Sequence, residues 1–124
     1  MHMNKTLENI GLALYWAEGS KSVKDGRVEF TNSDPRMIRL FMKFLREEGI
    51  EEKRLRAKIQ SMRKNNAKKA IKYWSATSGI PVNQFTKTRV KSGNAKKDYM
   101  GCLVVRYSSR PMLRKILDKI AKLK

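Results

Sequence analysis

The chain has 124 residues, of which 40% are hydrophobic, and a formal net charge of +18. This length and hydrophobic content favour a single compact domain, residues 1–124, over a disordered chain. No apolar run approaches the length of about 20 residues that a membrane span requires, and no secretory hydrophobic segment opens the chain. We therefore predict a cytoplasmic protein that does not bind membranes. Cys102 is the single cysteine and lies in an apolar run, so it is expected to be a core thiol.

The charge is divided unevenly along the chain. Residues 1–52 contain 8 Lys/Arg and 9 Asp/Glu, whereas residues 53–124 contain 21 Lys/Arg and 2 Asp/Glu. A charge excess confined to one half indicates a surface that binds a polyanion, and nucleic acid is the leading candidate. A generic solvated basic face is the alternative. A membrane surface is disfavoured because no helix combines a strong apolar face with an aromatic border.

A helix is predicted from Thr6 to about Glu18, ended by Gly19 in the left-handed conformation. Four apolar or small residues recur at helical spacing on one face: Ile10, Ala13, Leu14 and Ala17. Small side chains allow a second helix to come close, so this face is a candidate dimer interface. Glu18 then projects from the last turn.

A short hairpin is expected next, because Asp25-Gly26 is a type I′ turn signal between Ser20–Lys24 and Arg27–Asn32. A second helix follows, with Ser33 or Asp34 as its cap and Pro35 in its first turn. Its predicted apolar stripe comprises Met37, Ile38, Phe41, Phe44 and Leu45, and Gly49 ends it.

A third strand is predicted over Arg54–Gln60, with alternating apolar and polar side chains. A third helix near Asn66–Ser78 is expected to bury Ala67, Ala70, Ile71 and Trp74. Phe85–Lys91 is interpreted as an extended piece, and 91–97 as a polar loop. The last strand is predicted at Gly101–Ser108. The final helix starts at Ser108 or Ser109, and its predicted core stripe is Met112 or Leu113, Ile116, Leu117, Ile120 and Leu123.

This order of elements predicts an α+β domain with helices on one face of a mainly antiparallel sheet. The open face would carry cations able to enter a DNA major groove, which admits a β-ribbon. The predicted DNA-contacting residues are Arg27, Arg54, Arg56, Lys58, Gln60, Lys87, Arg89, Lys91 and Arg106.

The segment Gly11–Gly19 (Gly-Leu-Ala-Leu-Tyr-Trp-Ala-Glu-Gly) resembles the nine-residue motif of the LAGLIDADG homing endonuclease family. Ala13 stands at the motif's small third position, Ala17 matches, and Glu18 replaces the final acid; Leu14 and Gly19 also match. Trp16 replaces the motif's first Asp, which is usually structural. The order helix, hairpin, helix, strands and closing helix is similar over most of the chain, so the resemblance implies an αββαββα core, with 66–97 as a helical insertion.

The resemblance also implies a site. Single-motif members of the family carry an amide after the second strand and an Arg four residues later, positions held here by Asn32 and Arg36. The family's basic residue before a proline corresponds to Arg110-Pro111. Glu18, Asn32, Arg36 and Arg110 are therefore the expected catalytic residues.

One motif per chain implies a homodimer that joins two copies of Glu18 near a two-fold axis. The carboxylates and the carbonyl of Gly19, at the negative end of the helix, would bind Mg²⁺ or another divalent cation. His2 is the only histidine, which excludes a His-based nuclease or a zinc site within this sequence. The expected function is site-specific cleavage of double-stranded DNA. A non-cleaving DNA-binding regulator of the same fold and an RNA-binding or splicing factor are the alternatives.

Overall fold

The computed structural model describes residues 5–86 and 90–123. Four helices are present in this part of the chain: α1 (Lys5–Glu18), α2 (Pro35–Glu47), α3 (Ala67–Ser78) and α4 (Arg110–Ala121). The three strands are β1 (Val28–Asn32), β2 (Leu55–Gln60) and β3 (Cys102–Tyr107). The predicted α+β class is confirmed. None of the described helices is both long and apolar enough to span a membrane.

The sheet is antiparallel, with β3 in the centre and the order β1-β3-β2. Val28 pairs with Tyr107, which in turn pairs with Leu55, so these three side chains lie in one row of the inner face. The inner face of the three strands is buried and packs with the four helices into one hydrophobic core. The predicted alternation along 55–60 is confirmed, since Leu55, Ala57 and Ile59 are buried, whereas in β3 the outward-facing Val104 is buried as well.

The clearest helix starts are those that the sequence predicted. Asp34 caps α2 by accepting a hydrogen bond from the N–H of Arg36 (2.9 Å), with Pro35 as the first residue. Ser109 caps α4 in the same way through the N–H of Met112 (3.2 Å). Two residues of the predicted core stripes are instead exposed, Met37 (36%) and Leu123 (42%).

The predicted first hairpin is wrong, because Ser20–Lys24 does not form a strand. A 3₁₀ turn at Val23–Asp25 replaces it, and Gly26 follows in the left-handed conformation (φ 64°). Only one bridge remains, between Gly19 and Phe30. The predicted extended piece at Phe85–Lys91 is likewise reduced to two parallel bridges, Ala57 to Phe85 and Arg63 to Lys91, with 87–89 outside the described residues.

The segment between α3 and β3 belongs to the same core rather than to a separate unit. Trp74 is 1% exposed and donates its indole N–H to the carbonyl of Met100 (2.9 Å), while Ala70 and Ile80 are fully buried. The prediction of Trp74 as a core residue is confirmed, so α3 and Ile80 contribute to the core of the domain.

Ion pairs around the buried carboxylate of Glu48 connect α1, α2 and α4. The side chain of Glu48 is fully buried and contacts Lys115 (2.9 Å) and Lys119 (3.0 Å), and Lys119 also contacts Glu8 (2.7 Å). The hydrogen bond from Lys119 holds the pKa of Glu8 below its usual value. Burial lowers the pKa of Lys119, but its hydrogen bonds and attraction to the two carboxylates outweigh that effect and raise it.

Candidate nucleic-acid interface and acidic site

Glu18 ends α1 at the outer edge of the sheet. Its neighbour Gly19 bridges to Phe30, and the N–H of Ser20 donates to the carbonyl of Glu29 (2.9 Å), so the helix end lies beside β1. The carboxylate of Glu18 is exposed, and no hydrogen bond or ion pair within 5–86 and 90–123 engages it. It is therefore available to a ligand.

Tyr15 fixes this helix end to the sheet. Its buried hydroxyl donates to the carbonyl of Ser20 and accepts from the N–H of Glu29 (3.2 Å). Burial raises the pKa of Tyr15, which keeps the hydroxyl protonated as a donor. The ring lies against Gly19, where an added Cβ would collide with it. The prediction that Gly19 adopts a left-handed conformation is wrong; close approach to this ring explains the glycine instead.

Asn32 and Arg36 belong to one cluster built around Asp34. The side-chain oxygen of Asn32 accepts from the N–H of Asp34 (2.8 Å), and the carboxylate of Asp34 forms an ion pair with Arg36 (3.0 Å). The Arg36 hydrogen bond lowers the pKa of Asp34, and the pKa of Arg36 is raised in return. Asn32 lies two residues beyond Phe30, about 7 Å along the strand from the Gly19 bridge.

Arg110 lies at the opposite end of β1. Its guanidinium donates to the carbonyls of Val23 (3.3 Å) and Lys24 (3.2 Å) and rests against Gly26. Because that turn precedes β1 while Asn32 ends it, the four-residue rise separates them by about 14 Å. The structure does not bring Arg110 to the other three expected catalytic residues, and in this protein it clamps the turn.

The open face of the sheet carries two cross-strand rows. The first contains Glu29, Arg106 and Arg56, and the second contains Thr31, Val104 and Lys58; Val104, in the middle of the second row, is fully buried, so this face is open only around it. In the first row Glu29 binds Arg106 of β3 (2.8 Å) and also Arg27, which precedes β1 (3.1 Å), so one acid partly neutralises two of the predicted DNA-contacting cations.

The β2 side of this face carries cations without acids. Arg56 is exposed and donates to the carbonyls of Lys53 and Leu55 (2.7 Å each). Lys58 is half-buried and has no ion-pair partner within the described ranges, and the uncharged Gln60 beyond it is exposed. Their side chains line the face that a phosphate backbone could approach.

Of the remaining predicted DNA-contacting positions, Arg54 differs from the prediction. Arg54 lies in the turn before β2, and its guanidinium sits over the ring of Tyr107 (5.0 Å) and donates to the carbonyl of Ser108, so it packs on the end of β3. Its predicted place in the strand is wrong. Lys87 and Arg89 lie outside the described residues. Lys91 is exposed beside the end of β2, where its N–H donates to the carbonyl of Met62 (3.0 Å).

The outward face of α1 is apolar and open. Ile10 (36% exposed) and Trp16 (46%) flank the exposed residues Ala13 and Ala17, whereas Leu14 is half-buried and packs on the core. The small residue that does serve close helix packing within the chain is Gly11, against which the ring of Phe44 lies. Ala13 and Ala17 therefore remain available to a helix from outside the chain.

A divalent cation would find only part of a site in one chain. No group of three or more His, Cys, Asp or Glu side chains occurs in the described part of the chain. Glu18 offers one free carboxylate, but the carbonyl of Gly19 already accepts from the ammonium of Lys21 (3.1 Å). That contact places an ammonium group at the carbonyl predicted to bind a metal, so within the described residues one copy of the chain presents a single free carboxylate at this helix end.

Sequence reasoning missed Tyr15 and Asp34 as organisers of this region. A signal for Tyr15 exists, because an aromatic four residues before a helix-ending glycine lies on the same face as that glycine.

No protein-family model matches the chain, and neither a curated protein nor a solved structure matches it.

Proposed function

We propose that this protein binds double-stranded DNA as a homodimer through the open face of its sheet and cleaves it with the help of a divalent cation. The observation that supports this proposal is the free carboxylate of Glu18 at the end of a helix whose outward face is small and apolar. Two such helices packed side by side would bring two carboxylates together at the edge of a cationic sheet.

The sheet face suits a duplex because its cations stand on adjacent strands. A two-stranded ribbon fits the major groove, and long cationic side chains reach phosphates and base edges from it. Arg56, Lys58 and Gln60 alternate along β2 and point outward, and Arg106 lies beside them on β3. This arrangement favours DNA over a small anion, which would require a concave pocket.

In the proposed dimer, Glu18 of each protomer would hold the cation, which supplies activation of water and stabilisation of the leaving oxygen. The amide of Asn32, about 7 Å along β1 from the Gly19 bridge, would orient a water or phosphate oxygen. Arg36 would attract a phosphate after exchanging its partner Asp34. Arg110, which clamps the turn at Val23–Asp25, is not assigned a catalytic role.

The cleavage proposal is tested by incubating the protein with a supercoiled plasmid library in Mg²⁺. Glu18→Gln should abolish nicking and linearisation while changing the Kd for DNA by less than about threefold. Glu47→Gln is the matched control, because Glu47 is also an exposed carboxylate near a helix end. Cleavage that persists in Glu18→Gln would refute the role of this carboxylate.

The dimer proposal is tested by Ala17→Leu, which places a large side chain where two helices should touch. Sedimentation should show a dimer for the unchanged protein and a monomer for this variant. Ala76→Leu, at an exposed position of α3, is the control and should remain dimeric. An unchanged mass for Ala17→Leu would contradict the interface.

A non-cleaving DNA-binding protein is the second candidate. The pairing of Arg36 with Asp34 and of Lys21 with the carbonyl of Gly19 favours it, because both contacts occupy groups that cleavage needs free. Tight duplex binding without strand breaks in Mg²⁺ would support this candidate. Tighter binding to structured RNA than to duplex DNA at matched salt would instead favour an RNA-binding factor and overturn both.

A further inference from the structure

A second basic surface lies outside the sheet face. Residues 53–97 contain 14 Lys/Arg and no Asp or Glu, and only some of these cations are on the sheet. We name as the basic ridge six exposed lysines on and beside α3: Lys64, Lys68, Lys69, Lys72, Lys96 and Lys97. None of them forms an ion pair with another residue of the described ranges.

The loop that contributes Lys96 and Lys97 is held in place by side-chain amides. Asn65 donates to the carbonyl of Ala95 (3.0 Å) and accepts from its N–H (3.1 Å). The buried Asn66 donates to the carbonyls of Lys96 (3.0 Å) and Tyr99 (2.6 Å). Four hydrogen bonds thus fix this loop against the start of α3, so the lysines of two separate segments converge on one surface.

Convergence of like charges opposes folding unless a partner compensates. Lys72 lies one helical turn from Lys68 (i,i+4) and from Lys69 (i,i+3), so its ammonium repels both of theirs. The amide bonds of Asn65 and Asn66 add Lys96 and Lys97 to the same region rather than directing them away. A bound polyanion would turn this repulsion into attraction.

The basic ridge is continuous with the cations of the sheet. β2 carries Lys58 and Gln60 on its open face, and the chain then turns at Ser61, which has a positive φ (62°). Arg63 follows, bridges to Lys91 and donates to the carbonyl of Ser92 (3.1 Å). From there the chain enters the ridge at once, so the track of cations runs from the sheet around the end of β2 to α3.

We propose that the basic ridge binds the phosphate backbone of duplex DNA beyond the segment that the sheet contacts, and so lengthens the footprint of each protomer. This inference rests on the DNA binding in the proposed function but not on cleavage. The partner is a duplex because the track continues a strand face that fits a groove, and because simple cations without acceptors read phosphate rather than sequence.

The test compares two triple variants that lose the same charge. Lys64→Gln/Lys68→Gln/Lys69→Gln removes part of the ridge. The control replaces three exposed cations that lie off the track, one on α2, one on α4 and one just after α4: Lys43→Gln/Arg114→Gln/Lys122→Gln. Kd is measured for random-sequence duplexes of 10 to 40 base pairs, between 50 and 200 mM salt, after circular dichroism shows that both variants are folded.

Three lost phosphate contacts should reduce the slope of log affinity against log salt by about 2.7, which corresponds to about 40-fold between these two salt concentrations. The reduction should occur only with the longer duplexes and only in the ridge variant. Equal weakening in both variants, or an effect that does not depend on duplex length, would overturn the inference. So would ridge replacements that weaken structured RNA but leave DNA binding unchanged. If DNA binding follows the expectation but no cleavage occurs, the ridge stands and the endonuclease proposal fails.

Discussion

Replacing Tyr15 by Phe tests how the end of α1 is held at the sheet. The change removes one oxygen and leaves the ring against Gly19. Two backbone groups then lose their partner, the carbonyl of Ser20 and the N–H of Glu29. Each hydrogen bond contributes about 0.5–1.5 kcal/mol, so the free energy of unfolding should fall by about 1–3 kcal/mol.

Two other tyrosines make this prediction a graded one. The hydroxyl of Tyr107 accepts a single hydrogen bond, from the N–H of Glu51 (2.9 Å), so Tyr107→Phe should lower the free energy of unfolding by about half as much. The hydroxyl of Tyr73, which is exposed, has no such bond in the described part of the chain, and Tyr73→Phe should be neutral. Urea unfolding followed by far-ultraviolet circular dichroism measures all three.

The Tyr15→Phe variant also shows whether this contact holds the end of α1, where Glu18 lies, apart from its effect on the stability of the whole domain. Freed from the sheet, the helix end should fray locally, so amide hydrogen exchange at Gly19 and Ser20 should accelerate more than in the rest of α1. A Tyr15→Phe protein no less stable than Tyr73→Phe, with unchanged exchange at these two amides, would refute the reasoning.

Two further perturbations address the packing of the helices. Lys119→Met should lower the free energy of unfolding by about 2–3 kcal/mol, because the buried Glu48 keeps only one other lysine partner. The pKa of Glu8 is lowered in the folded state, so its contribution to the free energy of unfolding is present above its unfolded pKa and is lost as the pH falls through its folded pKa. Urea titrations at several acidic pH values should therefore show that stability falls less steeply with pH in Lys119→Met than in the unchanged protein. Gly11→Ala should lower the melting temperature. The added Cβ would overpack against the ring of Phe44, which costs about 1–3 kcal/mol, and this cost exceeds the gain of about 1 kcal/mol in helix propensity.

The elements that the sequence predicts well are those with local signals. Asp34 marks the start of α2, together with Pro35, because its side chain accepts a hydrogen bond from a backbone N–H only two residues further on. The alternation of apolar and polar residues along 55–60 indicates that one face of the strand is buried. Both effects act within a few residues, so a single sequence contains all the information that they require.

The features that the sequence did not predict depend on contacts between distant residues. Asp25-Gly26 does form a turn, but the N–H of Glu29, which a longer partner strand would bind, donates to the hydroxyl of Tyr15 instead. The turn is also held by Arg110, which is 84 residues further along the chain than Gly26. Arg54 likewise lies outside the predicted strand, because its guanidinium packs over the ring of Tyr107, which is distant in sequence. The ion pair that engages Arg36 was within reach of sequence reasoning, since its partner Asp34 is two residues away.

The distribution of acids across the sheet defines which side of it can face phosphate. On the β1 side, Glu29 binds both Arg27 and Arg106, so two cations share one anion and their attraction for phosphate is reduced. On the β2 side, Arg56 and Lys58 have no acid beside them, and the basic ridge continues from the end of that strand. Because uncompensated cations contribute most to counterion release, we expect the proposed DNA contacts on β2 and the basic ridge to contribute more to the salt dependence of binding than Arg27 and Arg106 do.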